Sequence, residues 1–330
     1  MCCLFGLIDV SRGFTAKEKS RILNVLGTAC EKRGVDATGI AYNAAGRLSV
    51  YKRPLPAHSM NMKIPAEAKV IMGHTRMTTQ GSADKRRNNH PFIGKVTDGN
   101  FALAHNGILY NDKELRLELN LPQTKIETDS YVAVQLIEQK RTLRTGSLRY
   151  MAELLEGPFT FTVLDEKDTL YIVKGDNPMC LYWFDAGFYL YASTAEILNA
   201  ALKTLGMQKL EHQRVSVEEG EILRINSTGK VKRDTFKMPE RYSYWGYPSI
   251  WAPKPKVSDN HSDYHQDLIR FGEELGIPTY ELRFLEGLDL TDMDLENVIL
   301  DNDFRRELLF AAGYYDEGAW ENESACCYAW

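Results

Sequence analysis

The sequence of 330 residues lacks the features that mark exported, membrane-bound or metal-binding chains. No apolar run approaches the roughly 20 residues that a membrane-spanning helix needs. The first residues contain no basic segment followed by an apolar one, so they do not resemble a secretory signal. The six cysteines, at positions 2, 3, 30, 180, 326 and 327, form neither Cys-x-x-Cys pairs nor metal-like spacings. We therefore expect a protein of the reducing cytoplasm, with no metal and no membrane association.

The chain also has little net charge, −5, and that charge is unevenly distributed. Residues 241–330 hold 7 basic and 18 acidic side chains, whereas residues 1–240 hold 33 and 27. The positive balance of the larger part is too small and too unpatterned to indicate a nucleic-acid partner. The acidic part is either a solvated tail or a segment that docks on the rest of the chain or on a partner. No P-loop motif is present, and we expect no cofactor.

The pattern of apolar residues predicts many strands, few helices and no regular alternation of the two, which indicates an α+β fold. Residues 1–240 are expected to form one domain, and residues 241–330 a Pro/aromatic linker with an acidic, partly helical extension. Strands are predicted over 4–10, 37–42, 47–52, 69–72, 101–104, 160–164, 169–173, 180–184, 188–192 and 221–225. Helices are predicted over 15–32 (with Thr15 as N-cap), 129–138, 146–155, 195–204, 263–275 and 303–312.

Cys2 is the first candidate for chemistry. If the initiator Met1 is removed, Cys2 carries a thiol and a free α-amine on one residue. An α-amine has a pKa of about 7.7–8.0, so part of it is neutral at pH 7 and can accept the thiol proton. One residue then supplies both nucleophile and base. The alternative is a cysteine that serves only as a small buried hydrophobic residue.

Other polar residues follow predicted strands or begin a predicted helix, where binding sites are usually built. Arg76 is suited either to bind a substrate carboxylate or to form a structural ion pair. Asn106 and Gly107 form either a turn or an oxyanion hole. Asp129 either caps a helix or accepts hydrogen bonds from an ammonium group. Taken together with a thiol, these groups suit an α-amino acid with a distal amide, which is glutamine.

These residues lie in motifs that make the sequence similar to the class II glutamine amidotransferase family. Its members are N-terminal-nucleophile hydrolases such as the glutaminase domain of glucosamine-6-phosphate synthase. The resemblance is ordered along roughly residues 2–235. The matching segments are Met1-Cys2-Cys3-Leu4-Phe5-Gly6, Arg33-Gly34-Val35-Asp36-Ala37-Thr38-Gly39-Ile40, Gly73-His74-Thr75-Arg76-Met77-Thr78-Thr79-Gln80-Gly81, Asn88-Asn89-His90-Pro91, His105-Asn106-Gly107, Thr128-Asp129-Ser130, Gly157-Pro158-Phe159-Thr160 and Ala192-Ser193-Thr194-Ala195.

The resemblance implies a four-layer αββα sandwich and a role for each site residue. Cys2 attacks the glutamine side-chain amide with its own amine as base, and a γ-glutamyl thioester forms before water releases glutamate. The remaining roles are oxyanion stabilisation by Asn106 and Gly107, α-carboxylate binding by Arg76, α-ammonium binding by Asp129, and substrate seating by Thr79.

The sequence departs from the family pattern at Cys3, Met77 and Gln80, which stand where the family has Gly, Trp and His. These changes favour, as an alternative, a hydrolase of another γ-glutamyl or related amide. Residues 241–330 are too short for the acceptor domains of family synthases, so we expect a separate ammonia-accepting synthase as partner. The extension then either contacts that partner or wraps its own domain. A further alternative is an inactive scaffold or regulatory subunit.

Overall fold

Alternating apolar residues in the first part of the chain form two antiparallel sheets in the computed structural model. The structure describes residues 2–238, 263–288, 290, 292–300, 305–306, 308–309 and 312, and the chain divides into two units, Met1–Arg241 and Tyr242–Trp330. The strands of the first unit are β1 (Cys3–Asp9), β2 (Ala37–Ala44), β3 (Arg47–Arg53), β4 (Val70–Arg76), β5 (Phe92–Val96), β6 (Gly99–Gly107), β7 (Phe159–Asp165), β8 (Leu170–Lys174), β9 (Cys180–Phe184), β10 (Phe188–Ala192), β11 (His212–Val215), β12 (Glu221–Ile225) and β13 (Val231–Thr235).

Helices cover the outer face of each sheet. The first sheet has the order β11-β9-β10-β1-β4-β2-β3 and the second β13-β12-β8-β7-β6-β5. The helices of this unit are α1 (Ala16–Cys30), α2 (Asp112–Glu118), α3 (Tyr131–Gln139), α4 (Thr145–Leu154) and α5 (Ala195–Leu205). One apolar cluster joins α1 and α5 to the first sheet, another joins α3 and α4 to the second, and a third lies between the sheets. The predicted αββα sandwich is confirmed.

The side chains of the central strands alternate between the helices and the opposite sheet, because the side-chain period of a strand is two. On β1, Phe5 and Leu7 pack in the helix-side cluster, whereas Leu4 and Ile8 lie between the sheets. Val70 and Met72 on β4, and Ala102 and Ala104 on β6, also lie between the sheets. Continued along each strand, this alternation assigns Cys2, Arg76 and Asn106 to the same inter-sheet layer.

Helix α1 begins as predicted. The Thr15 hydroxyl accepts from the Glu18 amide at 3.3 Å, and the Glu18 carboxylate accepts from the Thr15 amide at 2.8 Å, which together form a capping box. Inside the helix, Lys19 is buried. Its Nζ lies 3.0 Å from Asp9 Oδ2 and donates to the carbonyls of Ala66 and Ala68 at 2.7 Å. This ion pair joins α1 to the end of β1.

Several elements differ from the prediction. Strands β4 and β6 continue to Arg76 and Gly107, so the polar residues expected after the strands are their last residues. Helix α2 and strands β5, β11 and β13 were not predicted. The short strands β11 and β13 are polar and mostly exposed, and each lies at the edge of its sheet. Their alternation is therefore weak, and pairing with one neighbour determines their conformation.

The second unit contains α6 (Asp263–Glu274), α7 (Thr279–Glu286) and α8 (Asp292–Leu300). Helix α6 was predicted, whereas α7 and α8 lie between the two helices predicted for the extension and were not predicted. The helix expected over 303–312 and the linker lie largely or wholly outside the described residues. Leucine and isoleucine side chains of the three helices form a separate apolar cluster. None of the helices in the described ranges combines the length and apolar character that a bilayer span requires.

Candidate active site

The candidate nucleophile lies at the start of β1, at one end of the inter-sheet layer. Cys3 pairs with Thr75, so the register places Cys2 beside Arg76 at the end of β4. Cys2 is 9% exposed, and its Sγ donates to the Met77 carbonyl at 3.5 Å. Arg33 Nε donates to the Cys2 carbonyl at 3.0 Å. These contacts hold the backbone and the thiol of Cys2 from two directions.

Charges on neighbouring segments of the chain affect the Cys2 thiol. Burial raises its pKa, and the Asp129 carboxylate raises it further, whereas a backbone hydrogen bond from Met77 and the Arg76 guanidinium lower it. Since burial dominates, the resting group is the thiol rather than the thiolate. A nucleophilic Cys2 therefore needs a base that removes its proton at the moment of attack.

Asn106 carries the most unusual side chain of this region. It is 0% exposed on β6, and neither polar atom of its carboxamide has a hydrogen-bond partner among the residues that the structure describes. Its backbone is held firmly, since the Asn177 side chain donates to the Asn106 carbonyl at 2.9 Å. An unpaired buried amide is unfavourable by about 1–3 kcal/mol. The unpaired Asn106 amide is therefore suited to donate a hydrogen bond to an oxygen atom of a ligand.

Gly107 follows Asn106 with a φ of +151°, a conformation that other residues rarely adopt. A Cβ atom at this position would lie 1.9 Å from the Pro158 carbonyl oxygen. Only glycine fits there. The absence of a side chain lets the Pro158 carbonyl and the His105 ring pack directly against the backbone next to Asn106.

Arg76 is buried, and its guanidinium binds the loop that follows its own strand. Nη1 donates to Asn89 Oδ1 at 2.7 Å, and Nη2 donates to the carbonyls of Gln80 and Gly81 at 2.5 and 2.9 Å. Burial lowers the pKa of Arg76, and the negative charges of Asp129 and Asp36 counteract this. The structural alternative considered for Arg76 was an ion pair; its hydrogen bonds are instead to neutral oxygens.

Asp129 faces the same region from the turn before α3. Its Oδ2 accepts from the Leu109 amide at 2.7 Å, and its Oδ1 accepts from the Ser130 hydroxyl at 3.1 Å. Burial raises its pKa, and Arg76 partly offsets this effect. The interpretation of Asp129 as a helix cap is wrong, because α3 begins after Ser130 and has no side-chain cap. The Asp129 carboxylate is instead oriented by its hydrogen bond from the Leu109 amide, in the loop after β6.

The loop residues differ from this buried set. Thr79 is exposed, and its side chain makes no hydrogen bond within the described part of the chain. Met77 is 51% exposed, although its carbonyl contacts the thiol. The structure therefore brings Cys2, Arg76 and Asp129 into electrostatic reach of one another and leaves Thr79 on the outer surface of the loop.

Buried histidines join the two sheets behind this site. His74 Nε2 lies 2.9 Å from the His105 carbonyl, which ties β4 to β6. The His74 and His90 rings lie 4.2 Å apart. Burial lowers the pKa values of His74 and His105 to about 3, so both rings are neutral near pH 7. The described residues contain no group of three or more metal-binding side chains arranged around one point.

Sequence reasoning gave no role to several residues that support the site. Asn89 binds Arg76, Asn177 binds the Asn106 backbone, and Ser130 binds Asp129. Asn89 and Ser130 lie inside motifs that carry the family resemblance, so the sequence could have indicated that they support the site. Asn177 lies outside those motifs, and only the paired strands bring it to β6.

Comparisons with known proteins cover the unit that contains this site. Residues 74–200 match the family described as "Glutamine amidotransferase domain". The chain is similar to the glutamine–fructose-6-phosphate aminotransferase (isomerizing) of Staphylococcus aureus, with 32% identity over 218 residues, which is 62% of this chain and 35% of the relative. For the enzyme of that name from Staphylococcus epidermidis the identity is 30% over 219 residues, covering 64% and 33%. The chain thus spans about a third of the length of these curated relatives.

Two solved structures share the fold. One is described as the allosteric regulatory enzyme of purine biosynthesis, with a TM-score of 0.57 and 24% identity over 72% of this chain and 49% of the other. The other is the glutamine phosphoribosylpyrophosphate amidotransferase from B. subtilis, with a TM-score of 0.55 and 23% identity over 72% and 50%. At these identities the similarity concerns the fold alone.

Proposed function

We propose that this chain, which carries a class II glutamine amidotransferase domain, hydrolyses the side-chain amide of glutamine to glutamate and ammonia. The observation that carries this proposal is the buried, unpartnered Asn106 carboxamide, in the same inter-sheet layer as a protonated Cys2 thiol. A nucleophile and an unused hydrogen-bond donor, both buried in one layer, are suited to acyl transfer.

The proposed reaction uses Cys2 as both base and nucleophile once Met1 has been removed. The α-amine accepts the thiol proton while sulfur attacks the amide carbon, and the carbonyl oxygen becomes an oxyanion. Asn106 Nδ2 and the Gly107 backbone amide are the donors to that oxygen. The protonated amine then gives its proton to the departing nitrogen, which leaves as ammonia. Water attacks the resulting thioester and releases glutamate from Cys2.

Recognition of the substrate is assigned to the buried charges at either side of the thiol. Arg76 is the proposed partner of the α-carboxylate, and Asp129 of the α-ammonium group. Arg76 also binds the Gln80 and Gly81 carbonyls, so a carboxylate held by Arg76 would meet the loop that carries Thr79. We therefore keep Thr79 as a residue that seats the substrate when this loop closes over it.

The ammonia acceptor is proposed to be a separate synthase, since the similar Staphylococcus aureus protein is named as an aminotransferase that uses glutamine. The acidic extension is the proposed contact surface. The cytoplasm is the proposed compartment, since a catalytic thiol must stay reduced. Deletion of residues 241–330 tests the partner role: complex formation is expected to be lost while glutaminase activity is kept.

The first test of the proposed function is release of glutamate from L-glutamine by the purified chain, with the intact mass taken on the same sample. We expect release by protein that lacks Met1 and no release by Cys2→Ala. Cys180→Ala is the matched control, because Cys180 is also a buried thiol but lies on β9. Equal activity of the Cys2→Ala variant and the parent would contradict the proposed nucleophile.

A hydrolase of another γ-glutamyl amide is the second candidate, favoured by the exposed Met77 and by Gln80 in the loop that Arg76 binds. A panel of γ-glutamyl amides distinguishes the two: a larger kcat/KM for any of them than for glutamine would favour this alternative. An inactive scaffold is favoured only if the intact mass retains Met1, because the amine would then be blocked.

A further inference from the structure

A chain of hydrogen bonds runs behind the Asp129 carboxylate. Ser130 Oγ lies 3.1 Å from Asp129 Oδ1 and 2.8 Å from His105 Nδ1, and all three side chains are buried. An ionised carboxylate only accepts hydrogen bonds, so the hydroxyl proton of Ser130 points to Asp129. A hydroxyl has one proton, and Ser130 must then accept from His105. The arrangement requires the Nδ1–H tautomer of His105.

The other side of the His105 ring favours the opposite tautomer. The Pro158 carbonyl neighbours Nε2 and would attract a proton there, although no hydrogen bond of normal geometry forms within the described residues. In the opposite tautomer the proton would lie on Nε2, and Ser130 would donate to Nδ1. Asp129 Oδ1 would then lose its hydroxyl donor, which is unfavourable for a buried carboxylate.

We propose that Ser130 is a positioning residue that sets the orientation of the Asp129 carboxylate for the substrate ammonium group, and that His105 directs the Ser130 proton toward it. This inference rests on the proposed function. The Leu109 amide holds Oδ2 and the Ser130 amide also donates to the carboxylate, while the Ser130 hydroxyl is the side-chain donor at Oδ1. An ammonium group approaching Asp129 then meets lone pairs that are already aligned.

The same chain links two subsites. His105 precedes Asn106 on β6, and its carbonyl accepts from His74, two residues before Arg76 on β4. The group proposed for the ammonium, the group proposed for the oxyanion and the strand that carries Arg76 therefore share one buried network. Loss of Ser130 is expected to act on binding through Asp129, with little effect on the acyl-transfer groups.

The kinetic test compares Ser130→Ala and Ser130→Thr with the parent full-length chain, on glutamine and on glutaramate, which lacks the α-amine. For Ser130→Ala we expect KM for glutamine to rise about tenfold, the lower end for losing a hydrogen bond to a charged group, with kcat nearly unchanged. KM for glutaramate should not change, because no ammonium group is present. Ser130→Thr keeps the hydroxyl and should restore the parent KM.

If Ser130 had a purely structural role, its loss would weaken the binding of both substrates equally. An equal rise in KM for glutamine and glutaramate would therefore overturn the inference. An unchanged KM for glutamine would also overturn it. A parent chain that hydrolyses neither substrate, in a sample that lacks Met1, would contradict the proposed function. The hydrogen-bond chain would then be tested by the second measurement alone.

The second measurement is ¹⁵N NMR of the resting protein labelled at histidine, with His105→Gln used to assign the His105 signals. We expect Nδ1–H in the parent and a shift toward Nε2–H in Ser130→Ala, because the acceptor at Nδ1 is then lost. Nε2–H in the parent would overturn the inference, since Ser130 would then donate to His105 and not to Asp129. This readout requires no turnover.

Discussion

Replacing Asn106 by leucine is expected to separate catalysis from stability. Leucine has nearly the shape of asparagine and no polar atoms. The Asn106 carboxamide is fully buried, and neither of its polar atoms is paired within the described residues. Its removal therefore breaks no hydrogen bond of the resting protein, and it relieves the unfavourable burial of an unpaired amide.

The two expected effects have opposite signs. The free energy of unfolding should stay the same or rise by about 1 kcal/mol, within the range for relieving an unpaired buried polar group. In contrast, kcat for glutamine should fall by about 10²–10³-fold, the loss measured when one oxyanion donor is removed from other enzymes. Most buried asparagines would show the reverse pattern, with lost stability and unchanged activity.

Asn43 provides the matched control. It is also buried, but its Nδ2 donates to the Asp165 carbonyl at 2.8 Å and to Asp168 Oδ1 at 2.9 Å. Asn43→Leu should lower the free energy of unfolding by about 1–3 kcal/mol and leave kcat unchanged. The measurements are urea denaturation and glutamate release for both variants. An Asn106→Leu protein that is destabilised as much as Asn43→Leu, or that retains full kcat, would refute the reasoning.

Two further predictions concern stability. Lys19→Met leaves Asp9 buried without its cation and should lower the free energy of unfolding in urea by about 3–5 kcal/mol. Lys32→Met breaks the exposed pair with Glu196 and should change that free energy by no more than about 1 kcal/mol. Equal effects of the two variants would contradict the assigned role of burial. Burial holds the pKa of His90 well below 6.5, so only the unfolded chain binds its proton below that pH, and stability falls as the pH is lowered. In His90→Phe the slope of unfolding free energy against pH below 6.5 should be smaller by about 1.4 kcal/mol per pH unit, and parallel slopes would show that His90 is protonated in the folded state.

Much of the local structure follows from residues that are close in the sequence. The Thr15–Glu18 capping box, the apolar period of α1 and the alternation along β1 were readable because a cap or a period is set by neighbouring side chains. The polar edge strands β11 and β13 were not, because only pairing with another strand holds them extended. The same limit applied at Asp129, where a cap was expected and the structure has a carboxylate bound by the Leu109 amide.

The sequence by itself determined which chemical groups the chain carries and the order in which they occur: the thiol at Cys2, the cation at Arg76, the amide at Asn106 and the carboxylate at Asp129. Only the tertiary structure decided which of these groups face one another and which lack a partner. The contact of His74 with the His105 carbonyl joins two different sheets. The unpaired state of the Asn106 amide depends on every strand around it. Both arise from packing between distant segments, and local patterns contain no information about such distances.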